Sequence, residues 1–569
     1  MQTVLQWFDN NPGRYWWMAC LVIASVLFLM LRPLLRPDWK DVKRTDWIWG
    51  LVILGILIAG RWPVLFFGRE INHDESQLIA GAITLRHDFM FWRSVDGATA
   101  GPLDFYALLP AGWMHGANDY FTARITALFL VAAALTFTHQ TIALVFGRQL
   151  ARITGFSVVC FESLTQHADL LHYSTELVSI SLLAAAIFLG ARQFLTNARW
   201  QWNAAGGLLL GAVPLAKLQA APLAALVGLA WVAGEFVLRN RRPRDWRRRL
   251  TSLVAGAVVP ALVASIALTL TGEWHNAIVP YFLNNLSYVI SPWELKDVLG
   301  YVLLASVADN GLVIFWLGGA GVWLLFSLPL ARDAGPVGRI FASGAIVLCI
   351  VALGCIFLPC RPFVHYWQLL VVPLTLVVGS VTGLIVAALE SRPSHFRCAI
   401  LCGALVCTTG GLVYARGTMR DVYFGRLAVS QANPRGPVAR EVGKYARPGE
   451  ALGVWGIITF CYVETGMRQA TRSAHSQWEI LEGPYNSYFR QRYLADLRLS
   501  APPVFVDAVG PGNIAFEDRR LAHDALFPEL ATYIREHYIR VAEIAGARVY
   551  VRNERLSKAL TRPGQAAAE

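Results

Sequence analysis

The chain has 569 residues, of which 55% are hydrophobic, 12% aromatic and only 15% charged. Soluble domains carry about 25% charged residues, so one large soluble protein is excluded, and repeated apolar runs of roughly 18 to 25 residues fit helices crossing a bilayer core of about 30 Å. The net charge of +12 gathers in short patches between these runs, above all RNRRPRDWRRR at 239–249, which read as topology signals rather than as a nucleic-acid surface.

In chain order, the apolar runs predict about twelve spans: 15–35, 46–67, 121–146, 153–165, 176–189, 203–217, 221–238, 250–271, 299–326, 340–358, 366–388 and 398–415. The N-terminal stretch MQTVLQWFDNNPGR lacks the basic region of a cleavable signal peptide. Alternate loops, at 32–44, 148–152, 192–199, 239–249, 332–339 and 392–397, hold nearly all the loop Lys and Arg. The positive-inside rule assigns that set to the cytoplasm. Both termini then face outward, into the periplasm of a bacterium whose inner membrane holds the chain.

The outward set contains the unusual sequence. Its first long loop, 68–120, opens with INHDESQLIAGA at 71–82, and QHADLLHYSTE (166–176), GEWHNAIVPYFLNNLSYVISPWELKD (272–297) and LPCRPFVHYW (358–367) share that side. Lys217 ends its span at the same face. Ionisable residues on one face of a bundle place the chemistry there. From 416 onward the composition turns polar, with strands expected at LGVWG (452–456), PVFVDAV (503–509) and ARVYVR (547–552) and helices at PVAREVGKYA and ELATYIREHY. That pattern predicts a small α/β domain, 416–569, beside a transmembrane module, 1–415. LTRPGQAAAE at the end reads as a tail. Of nine cysteines, all but Cys461 lie in or beside apolar runs, and none has a partner at metal-ligand spacing.

Asp74 and Glu75 are the leading candidates for chemistry. A carboxylate at a membrane interface, under a long loop, suits a general base that activates a hydroxyl. The competing reading is a helix start, with Asp74 as N-cap and Glu75 in the first turn of a short amphipathic interfacial helix. His73 adjoins the pair, and Asp104 is an unusual acid later in the loop. Lys217 has the alternative of a snorkelling lysine, Arg361 with His365, Tyr366 and Trp367 that of an aromatic belt, and Glu176, near His172, that of a helix-dipole partner.

A span leading into an outside loop that opens with Asp-Glu resembles the GT-C superfamily of glycosyltransferases. Within it, the chain is most similar to the branch of the protein O-mannosyltransferases and the lipid A aminoarabinose transferase. GPLDFYALLP (101–110), LHYSTELVSISLLAAA (171–186), GLLLGAVPLAKLQAAPLA (207–224), PFVHYWQLLVVPLTLVVG (362–379) and VWGIITFCYVETGMRQATR (454–472) carry the resemblance in order. It implies the GT-C fold and transfer of a sugar from a polyprenyl phosphate to an envelope glycan or glycolipid, such as lipopolysaccharide. It also implies Asp74 as base, Glu75 in a supporting or metal-binding role, and Lys217, Arg361, His365 and Tyr366 around the donor phosphate. A divalent cation is compatible with Asp74 and Glu75 but not required, since the phosphate leaving group needs only cations to stabilise it. ATAGPLDFY lacks the basic residue that aminoarabinose-using relatives carry before this helix, which leaves the donor sugar open; the phosphate contact expected there is either missing or supplied elsewhere, with Arg93 the candidate. Other readings are a transporter or flippase of lipid-linked sugars, a polymerase or ligase of polyprenyl-pyrophosphate glycans, and a non-catalytic envelope scaffold. A transporter predicts repeat symmetry and ionisable groups deep in the spans.

Overall fold

A computed structural model describes residues 3, 6–7, 10–34, 42–165, 167–196, 199–238, 245–289, 294, 296–297, 299–300, 336–359, 361, 363–388, 401–403, 405–406, 409–411, 413 and 435–560. The span expected at 299–326 lies outside the described residues after its first two, as does half of 398–415. The chain divides into two compact units. One comprises Met1–Phe67, Arg124–Ser265 and Val289–Ser430; the other comprises Gly68–Ala123, Ile266–Tyr288 and Gln431–Glu569.

The first unit is a bundle of helices. Among the described residues of the whole chain, 8 helices are long and apolar enough to cross a membrane. This is a multi-pass membrane protein. The expected spans at 153–165 and 203–217 are helices Arg148–Leu164 and Gln201–Ala216, which are not among the eight. Arg148–Leu164 packs against Ile48–Phe66 and Gln368–Ala388 and is buried on nearly every side. Shielded from lipid, it tolerates polar residues that find partners on neighbouring helices. Gln149 Nε2 donates to the Met30 carbonyl at 2.9 Å, and Ser163 Oγ donates to the Ile56 carbonyl at 2.8 Å. Arg61 Nη2 meets Glu162 Oε2 at 2.7 Å with both side chains buried.

Gln201–Ala216 is short for a crossing but holds its neighbours closely through small residues. A Cβ on Gly207 would meet the Leu253 carbonyl at 2.0 Å, and one on Gly211 the Ala257 carbonyl at 2.1 Å. Gly256 on the facing helix Trp246–Thr271 approaches the Ala204 carbonyl in the same way. Glycines four apart on one face let two membrane helices touch backbone to backbone. The spacing Gly207–Leu–Leu–Leu–Gly211 is therefore a helix-docking stripe.

The second unit contains a five-stranded sheet in the order β2-β1-β3-β5-β4. Its strands are β1 (Ala451–Trp455), β2 (Arg468–Gln469), β3 (Val504–Asp507), β4 (Tyr538–Ile544) and β5 (Ala547–Arg552). β1 runs parallel to β2 and β3, whereas β5 is antiparallel to β3 and β4. Alternation sends Leu452, Val454, Val504, Val506, Val549 and Val551 to one core. It sends Trp455, Phe505 and the partly buried Tyr550 to the other. The β4–β5 hairpin turns through Ala545 (φ 50°) and Gly546 (φ 75°), the two-residue left-handed turn that matches strand twist. The sequence identifies β1, β3 and β5. It misses β2, which has only two residues, and β4, whose start merges with the preceding helical pattern at Pro528–His537.

The helix that follows the second span belongs to this second unit. Helix His73–Leu85 is buried over most of its length and packs against β2 and helix Phe460–Thr465. Its Ala80 joins the core of the sheet. The expected amphipathic pattern is thus replaced by burial on nearly all faces, because the C-terminal segment covers the side that composition alone leaves open.

Candidate functional site

In the helical unit, the predicted cations and acids converge. Lys217 terminates helix Gln201–Ala216 in extended backbone, directly before the short turn Leu218–Ala220. It is almost fully buried. Its Nζ donates to Glu176 Oε1 and to Thr175 Oγ1, and it lies 4.9 Å from the centre of the Tyr366 ring. A snorkelling lysine keeps its ammonium in water; Lys217 keeps its own inside the protein. Glu176 opens the helix Glu176–Thr196 and is wholly buried, so its carboxylate serves the lysine as well as the helix dipole.

The turn Val364–Trp367 brings His365 and Tyr366 to the same place. The His365 and His172 rings meet edge to face at 6.0 Å, and His365 Nδ1 stands 3.8 Å from Asp169 Oδ2. Burial opposes the charge on Asp169, but the His365 imidazole outweighs it and holds the carboxyl below the usual range. His172 Nδ1 donates to the Ala168 carbonyl at 3.0 Å. Its Nε2, Ser174 Oγ and Glu176 Oε2 are buried polar atoms without a hydrogen-bond partner among the described residues, which marks a region prepared for polar contact. Arg361 is half-buried three residues before the Val364–Trp367 turn. Asp169, Thr175 and Ser174 are members that sequence reading passes over. They lie inside the 166–176 patch, but nothing in their spacing separates them from its other polar residues.

His73, Asp74, Glu75 and Asp104 belong to the second unit. The cap of helix His73–Leu85 is Asn72, whose side chain accepts from the Asp74 N–H at 2.8 Å. This corrects the N-cap reading of Asp74: Asn72 holds the extended cap conformation, leaving the Asp74 carboxylate in the first turn, where the dipole favours a negative charge. The Asp74 side chain is 36% exposed and stands 3.3 Å from His73 Nε2. Glu75 and Asp104 are fully buried. Glu70, just before the helix, accepts from Ser76 Oγ at 2.5 Å, and Ser76 Oγ lies 2.9 Å from the Tyr120 hydroxyl. Burial pushes the Glu70 carboxyl up, against the Ser76 hydrogen bond.

Arg93 is paired with Asp88, Nε to Oδ2 at 2.8 Å. Among the described residues, the compact triad of metal-ligating types is Asp507, His523 and Asp524, with ligand atoms within 4.8 Å of one another. Arg548 already bonds both Asp507 and Asp524, so that cluster is charge-compensated. Asp74 and Glu75 do not form such a triad.

This architecture, a helical membrane bundle with an α/β unit, is the GT-C fold implied by the sequence resemblance. ArnT from Cupriavidus metallidurans bound to undecaprenyl phosphate superimposes with a TM-score of 0.55 at 11% identity, covering 88% of this chain and 97% of that one. Its apo state gives 0.51 at 13% identity with the same coverage. The archaeal oligosaccharyltransferase AglB from Archaeoglobus fulgidus, in complex with an inhibitory peptide and a dolichol-phosphate, aligns with a TM-score of 0.43 at 13% identity, covering 81% of this chain and 69% of that one. No family profile matches the chain, and no curated protein sequence matches it.

Proposed function

We propose that the chain is an inverting glycosyltransferase of a bacterial inner membrane, working on the periplasmic side. It takes a sugar from a polyprenyl phosphate and passes it to an envelope glycolipid or glycan. The observation that carries this reading is Lys217, buried at the end of its helix and held by Glu176 and Thr175 over Tyr366. A desolvated lysine with His172, His365 and Ser174 around it suits a phosphate anion, because charges excluded from water act strongly on one another. The fold shared with a protein crystallised with undecaprenyl phosphate supports a lipid-phosphate donor.

In the reaction, Asp74 accepts the proton of the acceptor hydroxyl as its oxygen bonds to the anomeric carbon. The bond from that carbon to the phosphate oxygen breaks, and polyprenyl phosphate leaves as an anion. One displacement inverts the configuration. The leaving group carries its own charge, so cations stabilise it without a general acid. Glu75, buried behind Asp74 in sequence, supports the base, and the C-terminal domain contributes to acceptor binding.

The test compares envelope glycans by mass spectrometry in cells carrying wild type, Asp74→Asn or Lys217→Met. Loss of one sugar-mass increment in both variants is expected. An Asp74→Asn strain with the wild-type glycan profile ends the base assignment, and a deletion strain with that profile ends the enzymatic reading.

A further inference from the structure

Helix Gln201–Ala216 leads to Lys217 at its end, and its start belongs to a different cluster. There helices Glu176–Thr196 and Ala221–Leu238 end and Trp246–Thr271 begins, all within the helical unit. Glu235 joins three of these segments. Asn203 Nδ2 donates to Glu235 Oε1 at 3.0 Å, and Arg249 Nε stands 3.3 Å from Glu235 Oε2, with all three residues buried. Arg249 Nη2 is buried too and has no hydrogen-bond partner among the described residues. Around this knot, arginines lie on indole rings. Arg248 Cζ is 4.5 Å from the centre of the Trp200 ring, and Arg192 Cζ is 4.7 Å from that of Trp202. Arg199, Trp200, Arg247 and Arg248 are exposed. The segments 192–203, 231–238 and 245–250 hold two acids, Glu235 and Asp245, and Glu235 is already matched to Arg249. A surplus of positive charge remains.

We propose that this end of the bundle is a binding site for the headgroup of an anionic phospholipid. A guanidinium stacked on an indole has its plane fixed, while its N–H edge stays available for paired contacts to phosphate oxygens. Arg249 Nη2 adds a donor held out of water, where an unmade hydrogen bond is costly and a made one strong. The occupant is a lipid because the cluster lies at the mouth of helices long and apolar enough to cross a membrane. Basic pockets between such helices take anionic headgroups, and tryptophans settle at headgroup level. Helix Trp246–Thr271 continues from the cluster with Val254, Val258 and Leu262 exposed. Spaced four apart, they form one stripe along which the acyl chains of a held lipid can lie. A choline headgroup brings its own cation, which the surplus positive charge repels; a glycerol headgroup brings none. The last arginines of RNRRPRDWRRR (239–249) thus do more than set topology.

The test is native mass spectrometry of the full chain in detergent, titrated with phosphatidylglycerol, phosphatidylcholine or inorganic phosphate. Wild type should bind phosphatidylglycerol more tightly than phosphatidylcholine. Arg192→Gln combined with Arg248→Gln should weaken phosphatidylglycerol binding by about 10- to 30-fold, the scale of two arginines beside an anionic headgroup. Arg32→Gln combined with Arg339→Gln removes the same charge from two other exposed positions and should stay within about twofold of wild type. Arg192→Lys combined with Arg248→Lys is the milder change: it keeps the charge but loses the planar fork, and should weaken binding by about threefold or more. An equal loss in the Arg32/Arg339 pair overturns the proposal, since bulk charge then explains the binding. Equal affinity of wild type for the two lipids overturns it as well. So does wild-type affinity in the lysine pair, which would make the stacked arginines irrelevant. Displacement of phosphatidylglycerol by inorganic phosphate would turn the cluster into a site for a free anion and end the lipid assignment. Lipid binding is read without sugar transfer, so failure here leaves the proposed activity untouched.

Discussion

Lys217 Nζ donates to Glu176 Oε1 with both side chains almost wholly buried, and each residue ends or opens a helix of the bundle. Breaking such a pair leaves an uncompensated charge away from water, at a cost of about 3–5 kcal/mol, whereas removing both partners costs far less. Lys217→Met should therefore lower the unfolding temperature in detergent more than Lys217→Met combined with Glu176→Gln. Thermal unfolding of wild type, the two single variants and the double variant checks this. A double variant less stable than Lys217→Met would sink the idea that the pair is mutually compensating. Transfer is expected to fail in every variant lacking Lys217, because the double change restores stability without restoring a cation.

Much of this cluster is legible in the sequence, as a lysine ending an apolar run and as His and Glu residues gathered in outward loops. Its internal order is not. Spacing cannot show that Lys217 turns to Glu176, or that His365 has Asp169 beside it, because these pairs join segments far apart in the chain. The Arg61–Glu162 pair shows the same limit from another side: each residue reads as a lone charge in an apolar run until the facing helix is known. The Asp96–Arg492 pair is further out of reach, since it links the first loop with the C-terminal domain. By contrast β1, β3 and β5 were readable because short apolar runs with β-branched residues carry their own signal. The cap at Asn72 is readable in principle, two positions before the acid pair Asp74–Glu75.

The docking stripe Gly207, Gly211 and Gly256 predicts a packing defect with little change in hydrophobicity. Gly211→Leu would drive a side chain into the Ala257 carbonyl, so the two helices must separate. Overpacking of this kind costs about 1–3 kcal/mol or more. Because Lys217 caps the same helix, the displacement should also reduce transfer. Gly228→Leu makes a matched control, since a Cβ there meets only the far end of Leu210 at 3.8 Å. Equal unfolding temperatures for the two variants would count against the close contact.

The turn of the β4–β5 hairpin offers a stabilising change. Ala545 sits at φ 50°, a region that costs an L-residue with Cβ about 1–2 kcal/mol and that Asn tolerates better. Asn before Gly is the preferred pair for this two-residue turn. Ala545→Asn should raise the stability of the C-terminal domain by about 0.5–1 kcal/mol while leaving transfer unchanged. Denaturant unfolding followed by tryptophan emission reads the gain. A midpoint at or below wild type would refute the turn assignment as the source of strain.

Glu479 and His475 give the domain opposite dependences on pH. Burial pushes the Glu479 carboxyl up to about 8, aided by Asp96 and Asp496 and opposed by Arg492, whereas the unfolded value is near about 4.3. Between those values the folded chain holds more protons than the unfolded one, so stability falls as pH rises, by up to about 1.4 kcal/mol per pH unit. His475, pushed down to about 4 from an unfolded value near about 6.5, works the other way: the folded chain holds fewer protons, and stability rises through that interval. The two slopes offset one another below about pH 6.5, and above it only the Glu479 loss remains, until it levels off near pH 8. Glu479→Gln should therefore differ from wild type by an amount that grows from about pH 4.3 to about pH 8 and then stays constant. His475→Gln should expose the Glu479 decline at lower pH. Denaturant midpoints of the full chain in detergent from pH 5 to 9 measure both differences. Parallel curves for wild type and Glu479→Gln across pH 6.5 to 8 would mean that Glu479 ionises normally in the folded domain, with water or a cation reaching its carboxylate.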